Sequence, residues 1–285
     1  MMDIVYEMSV DMLEGFRLRL TEEEKSRNTV ERYLRDVRAF YLFLSAGGKA
    51  VVSKLRVMEF KEKQQETDAP VTVNAKLTAV NSFLKFMGWQ ECRVKMLKIQ
   101  RRIFRDESKE LTKAEYVRLV NAAKRKGNGR LALLLETICS TGIRVSELRY
   151  ITVEAAQIRK AEINCKGKRR VIFLPAALCQ SLLRYARERQ IASDYIFRTR
   201  SGKPLDRSNI HHDMKKMCEM AGVEQSKVFP HNLRHLFAFT FYAVERNLVH
   251  LADILGHSSV NTTRIYTISS GEEHAKEVER LGLIV

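Results

Sequence analysis

The 285-residue chain carries 50 Lys and Arg against 34 Asp and Glu, a formal charge of +16, and its length accommodates two ordinary domains with a core each. No apolar run approaches the roughly 20 residues that a membrane span needs, and the start, M-M-D-I-V-Y-E, lacks the basic-then-apolar order of a secretory leader, so a cytoplasmic protein with no membrane partner is expected. The cationic excess favours a polyanion, because side chains that displace condensed counterions gain affinity for nucleic acid, although ribosome-associated and membrane-surface proteins share that signature.

Only four prolines interrupt the chain, Pro70, Pro175, Pro204 and Pro230, and apolar residues recur at three- and four-residue spacing, so most of it reads as helix. Weaker helices are predicted near residues 6–20 and 53–66. Between them Asn28, with Glu31 three residues on, is the expected N-cap of a long helix. Its apolar face is Val30, Tyr33, Leu34, Val37, Phe40, Tyr41 and Leu44, and Gly47-Gly48 stops it. Arg32, Arg35 and Arg38 line the other face. A further helix follows Pro70, burying Val73, Leu77, Val80, Phe83, Leu84 and Met87 before Gly88. Residues 1–92 thus read as a small helical bundle with basic outer surfaces.

The stretch from Arg93 to Lys109, R-V-K-M-L-K-I-Q-R-R-I-F-R-D-E-S-K, is strongly basic and aperiodic. It suits a linker, residues 93–110, lying along a phosphate backbone; a solvated basic segment without a ligand has the same composition. A second domain, 111–285, then opens with the capping box Thr112-Lys113-Ala114-Glu115 and an apolar helix from Leu131 to Cys139. Ile158 to Cys165 and Arg169 to Leu174 resemble two strands around the turn Lys166-Gly167-Lys168. Helices are expected near 176–190, 207–221, 231–245, 248–255, 259–267 and 273–281, with Tyr195-Ile196-Phe197 strand-like. The fold class is therefore mainly α with a small antiparallel β-sheet. The five cysteines, Cys92, Cys139, Cys165, Cys179 and Cys218, are odd in number and lack C-x-x-C spacing, which fits reduced structural thiols rather than a disulfide frame or a zinc ribbon.

Three segments hold residues suited to chemistry. In Pro230-His231-Asn232-Leu233-Arg234-His235, His231 and Arg234 share a face at the start of a helix, where free N–H groups, a guanidinium fork and an imidazole together suit an anion. His231 and His235 are also four apart, as zinc ligands can be, but zinc hydrolysis of the H-E-x-x-H kind needs glutamate where Asn232 stands, so no metal is expected; a purely structural helix is the other alternative. Leu255-Gly256-His257-Ser258-Ser259 places His257 in a turn, with Ser258 or Ser259 capping the next short helix and Tyr266 near its far end. A tyrosine there is by default a core residue. Thr141-Gly142-Ile143-Arg144 puts Arg144 in the first turn of a helix, where a cation is disfavoured unless an anion joins it; pairing with Glu147 is the alternative.

Taken in order, T-G-I-R-V-S-E-L, a lysine in a hairpin, H-N-L-R-H, L-G-H-S-S and a tyrosine nine residues after His257 resemble the tyrosine recombinases, which include phage integrases, transposon integrases and Xer-type recombinases. The resemblance covers roughly residues 110–285, and S-R-N-T-V-E-R-Y-L-R-D-V-R-A-F is similar to the first long helix of the family's SAM-like core-binding domain. It implies a site-specific recombinase or integrase that cleaves and rejoins DNA through a covalent 3′-phosphotyrosine, with no metal, ATP or other cofactor. Carried over, Arg144 and Arg234 clamp the scissile phosphate, Lys166 protonates the leaving 5′ hydroxyl, His231 and His257 assist, and Tyr266 is the nucleophile. A free tyrosine titrates near pH 10, so Tyr266 needs a base or a cationic pocket, with His231 the candidate base.

Lys168 flanks the same glycine as Lys166, and Thr267 stands where many relatives carry histidine. The implied partners are double-stranded DNA, a homo-tetramer on two sites, and a hetero-partner recombinase or an accessory DNA-bending protein. Residues 272–281 are the candidate for a helix passed to a neighbouring protomer or packed in cis. Two rival readings remain, a type IB topoisomerase and a DNA-binding accessory protein without catalysis.

Overall fold

The computed structural model describes residues 4–100, 106–165, 168–268, 274–275 and 278–281, with only the backbone of Cys165 and Lys168. The chain divides into two compact units, Met1–Arg101 and Arg102–Val285. Among the described residues no helix is long and apolar enough to cross a membrane. Lys166 lies outside the described residues, as do residues 273, 276 and 277 of the expected C-terminal helix.

The first unit is a four-helix assembly of α1 (Met12–Glu22), α2 (Arg27–Ser45), α3 (Lys54–Thr67) and α4 (Pro70–Phe86). The N-cap of α2 is Ser26, two residues before the expected Asn28, and its Oγ accepts from the Thr29 N–H. Its apolar stripe buries Val30, Val37, Phe40 and Leu44, and α4 closes the core with Val73, Leu77, Val80, Phe83 and Leu84. Aromatic rings meet edge to face at the centre, Phe16 on Phe83 at 5.4 Å and Phe40 on Phe60 at 5.1 Å. A two-residue pairing of β1 (Tyr6–Glu7) with β2 (Val51–Val52) adds a small antiparallel sheet that is too short to leave an alternation in the sequence. Arg93 to Leu97, the start of the basic stretch, docks along α4: Asn81 bonds both polar groups of Val94, and Asn74 both of Leu97.

The second unit opens with α5 (Lys113–Arg125), where the Thr112–Glu115 capping box is formed as expected. Helix α6 (Gly129–Thr141) runs through the core, burying Leu131, Leu134, Leu135 and Ile138. After a 3₁₀ turn, Val145–Tyr150, and α7 (Val153–Gln157), strands β3 (Lys160–Cys165) and β4 (Lys168–Phe173) form an antiparallel hairpin. Its register sets Ala161 opposite Ile172 and Ile163 opposite Arg170. Ala161, Ile163 and Ile172 are buried, so the period-2 alternation of a strand turns Arg170 inward and Arg169 outward.

Helix α8 (Ala176–Glu188) follows, and the helix expected over 207–221 is split into α9 (Arg207–Lys215) and α10 (Cys218–Ala221). Tyr195 makes only an isolated bridge to Thr152 rather than joining a strand. The chain then builds α11 (Pro230–Glu245), α12 (Leu248–Leu255), α13 (Val260–Thr263) and a 3₁₀ turn, Arg264–Thr267.

Candidate active site

The cluster is organised by the C-terminal end of α12. A helix leaves its last carbonyls without intrahelical partners and carries negative dipole charge there. Three arginines from three other elements take them: Arg170 bonds Ile254 O, Arg234 bonds Leu255 O at 2.7 Å, and Arg144 bonds Gly256 O at 3.1 Å. Gly256 makes this possible. It sits at φ +62°, and a Cβ on it would lie 2.7 Å from Arg170 Cδ.

Arg234 projects from the first turns of α11, whose start is set by Pro230 at the first helical position. It is 1% exposed, and its Nη1 also reaches Gly142 O at 2.6 Å. Gly142 holds the left-handed turn after α6 at φ +63°, with Phe237 so close that a Cβ would fall 2.4 Å from its ring. Burial, then the neighbouring Arg144 and Arg170, press the Arg234 guanidinium well below its usual proton affinity, so an arriving anion is strongly favoured. Its buried Nε has no hydrogen-bond partner among the described residues.

Arg144 lies one residue before the 3₁₀ turn in extended backbone, not inside an α-helix as expected. Of the two sequence alternatives, the pairing with Glu147 is formed: its Nη1 pairs with Glu147 Oε1 at 2.9 Å, while its Nη2 donates to Gly256 O at the α12 terminus. Glu147 is 2% exposed and also accepts from the Arg144 backbone N–H and from Arg170. Despite burial, those bonds hold its carboxyl below the usual range. One carboxylate among three guanidiniums leaves the group strongly cationic.

His257 follows Gly256, its backbone N–H bonding Ala252 O to close the helix end. Its Nε2 lies 3.0 Å from Arg234 Nη2 and its Nδ1 2.8 Å from Thr263 Oγ1. A guanidinium only donates, so Nε2 accepts and the ring proton sits on Nδ1, donating to the threonine. Burial and the fields of Arg234, Arg144 and Arg170 hold this imidazole neutral, with a pKa of about 4. In this geometry His257 orients Arg234.

Ser259 caps α13, and the backbone then tightens into the 3₁₀ turn that carries Tyr266. Three residues per turn aligns Thr263 with Tyr266, and both are buried, at 0% and 4% exposed. The Tyr266 ring packs among Ala238, Leu251 and Leu255 and edge-on against Phe239 at 5.0 Å. Its hydroxyl lies 2.8 Å from His235 Nδ1. Burial pushes the phenol up to about 12, outweighing the fields of Arg234 and Arg144 that act the other way.

His231 stands at the exposed edge of the cluster. Partial loss of ring hydration, with the fields of Arg234, Arg144 and Arg207, favours its neutral form. Its ring meets that of His235 edge to face at 4.2 Å.

The fold therefore gathers Arg144, His231, Arg234, His257 and Tyr266, while Lys166 is outside the described residues. Three further members of the cluster, Glu147, Arg170 and His235, were not among the predicted site residues. Glu147 had a signal as the partner of Arg144, and His235 had one in its four-residue spacing from His231. Among the described residues no group of His, Cys, Asp and Glu has the arrangement of a metal site. What the cluster can do chemically is hold an anion on two guanidiniums beside a buried phenol.

The phage integrase family model matches residues 109–273, more than half of the chain, and that of the phage integrase N-terminal SAM-like domain matches residues 13–91. The chain is similar to the tyrosine recombinase XerA of Pyrococcus furiosus, 29% identical over 288 residues that cover 96% of this chain and 95% of that one. It is also similar to the tyrosine recombinase XerH of Campylobacter jejuni, 34% identical over 166 residues, 56% of this chain and 47% of that one. Among solved structures, XerH bound to its difH substrate in a pre-cleavage complex shares the fold, with a TM-score of 0.71 at 20% identity over 95% of this chain and 83% of that one. The chain belongs to the phage integrase family and is a tyrosine-type site-specific recombinase.

Proposed function

We propose that this recombinase breaks and rejoins double-stranded DNA by transesterification, with Tyr266 becoming covalently joined to the 3′ phosphate. The observation that carries the reading is the convergence of Tyr266 with Arg144 and Arg234, residues scattered over more than a hundred positions and gathered at one helix terminus. A phosphodiester under attack concentrates negative charge on its non-bridging oxygens, and two preorganised guanidiniums stabilise that charge. In this reading Arg144 and Arg234 clamp the phosphate, with the unpartnered Arg234 Nε–H among the available donors. His257 fixes Arg234, and His231 assists from the edge. Lys166, which falls between β3 and β4 in the sequence, protonates the leaving 5′ oxygen. The phosphotyrosine retains the energy of the broken diester, so rejoining to a new 5′ hydroxyl requires neither ATP nor metal.

XerH has been solved with its substrate before cleavage, and lambda integrase as a dimer on a core site. Duplex DNA is the partner proposed here, read by a core-binding domain over 1–92, a basic linker over 93–110 and a catalytic domain over 111–285. Assembly as a tetramer on two sites belongs to the same reading, with a hetero-partner recombinase or a DNA-bending protein as further partners. The test is incubation with a pool of nicked duplexes of randomised sequence, followed by capture of protein bound through denaturing washes. Wild-type protein yields an adduct whose DNA defines the site, unaffected by chelator and needing no nucleotide. Tyr266→Phe yields none; an undiminished adduct from that variant overturns the reading.

A further inference from the structure

We propose that His235 is a catalytic residue of this recombinase, the group whose Nδ1 takes the Tyr266 hydroxyl proton as Oη attacks phosphorus. The proposal rests on the reading of Tyr266 as nucleophile and adds the destination of its proton. A buried phenol held up at about 12 keeps that proton near neutral pH, so attack needs an acceptor in contact. Direct transfer requires a heavy-atom separation of about 2.6–3.2 Å. His235 Nδ1 meets that requirement at 2.8 Å, whereas His231, the base expected from the sequence, faces the ring of His235.

The arrangement is held by ring packing. His231, His235 and Phe239 recur every four residues and stack along one face of α11, and the Tyr266 ring lies against the last two, at 5.4 and 5.0 Å. The charged and titratable groups facing His235 are His231 and Arg234 on its own helix, His257 from the turn after α12, and Tyr266 from the 3₁₀ turn. Burial first, then His231, Arg234 and His257, hold His235 down to about 4. It is therefore a neutral imidazole, with the lone pair of Nδ1 directed at the phenol and its proton on Nε2. A phosphate clamped by the arginines offsets their field, so the proton affinity of His235 rises as the tyrosine gives up its proton.

The step balances. The Tyr266 Oη–P bond forms and the P–O5′ bond breaks; the phenol proton passes to His235 Nδ1, and the 5′ oxygen leaves with a proton from Lys166. Rejoining reverses each transfer, and His235 returns its proton to the departing tyrosine oxygen.

The test measures single-turnover adduct formation across pH on a duplex recovered from the randomised pool. His235→Asn keeps a hydrogen-bond acceptor near the Nδ1 position without a basic nitrogen, and His235→Phe keeps only the ring. Both are expected to slow adduct formation by roughly 10²–10³-fold with DNA affinity and melting temperature unchanged. In wild type the rate falls as pH drops and His235 protonates. Both variants lose that acid limb, and His231→Gln retains it.

Replacing the scissile 5′ oxygen by sulfur removes the need to protonate the leaving group, so it restores Lys166→Ala and leaves His235→Asn slow. Added imidazole accelerates His235→Ala, which keeps the test open if the bulkier variants lose stability. Wild-type rates from His235→Asn, an unchanged acid limb, or rescue of His235→Asn by sulfur overturns the proposal. An adduct from Tyr266→Phe overturns instead the nucleophile on which it rests.

Discussion

In the first unit the buried amide of Asn81 has both its polar ends bonded to the backbone of Val94, inside a core of aliphatic and aromatic side chains. In the second, the largest fully buried side chain is a guanidinium, Arg234, pressed by two further arginines and holding an unpartnered Nε. The first arrangement ties down a strand of backbone and leaves nothing over. The second keeps buried positive charge near a phenol, which costs desolvation unless an anion arrives. Burial alone therefore says little about purpose; whether a buried polar group is satisfied within the chain says more.

That contrast predicts which substitutions act on stability and which on chemistry. Phe83→Ala, in the aromatic centre of the first unit, is expected to cost about 3–5 kcal/mol of folding stability, read as a lowered denaturant midpoint for that unit. Arg234→Lys should slow adduct formation by roughly 10²–10³-fold through loss of the fork while shifting the melting temperature less than Phe83→Ala does; a rate near wild type would remove the distinction between the two regions. Asn81→Ala strands both Val94 groups and should cost about 1–3 kcal/mol, with adduct formation by folded protein unchanged. Arg27→Ala removes an exposed ion pair with Glu31 and should change stability by no more than about 0.5 kcal/mol, the baseline for the others.

The sequence made legible what rests on local chemistry. The Thr112–Glu115 box, the Pro70 and Pro230 helix starts and the apolar stripes of α2 and α4 all follow from spacing and capping. What was missed turns on choices that local patterns leave open. Ser26 and Asn28 are both good caps two residues apart, and periodicity does not separate them. Arg169 and Arg170 are adjacent on a strand, and only the pairing of Ile163 with Arg170 decides which one turns inward. His235 stands four residues from His231, a spacing that suggests zinc, whereas its partner Tyr266 is 31 residues away and reaches it through the packing of a later turn. Arg144 pairs with Glu147 at the three-residue spacing that is legible in the sequence, whereas its second bond, to Gly256 O 112 residues away, comes from tertiary packing.

The central claim is that DNA is held covalently by Tyr266, and the most direct test is to identify the amino acid that carries it. Adduct captured from the nicked pool is digested with nuclease and protease, and the modified peptide is sequenced by mass spectrometry. The expected result is a phosphate ester on Tyr266, joined to the 3′ end of the cleaved strand. A phosphate on any other residue, or cleavage that releases free ends without an adduct, would contradict it.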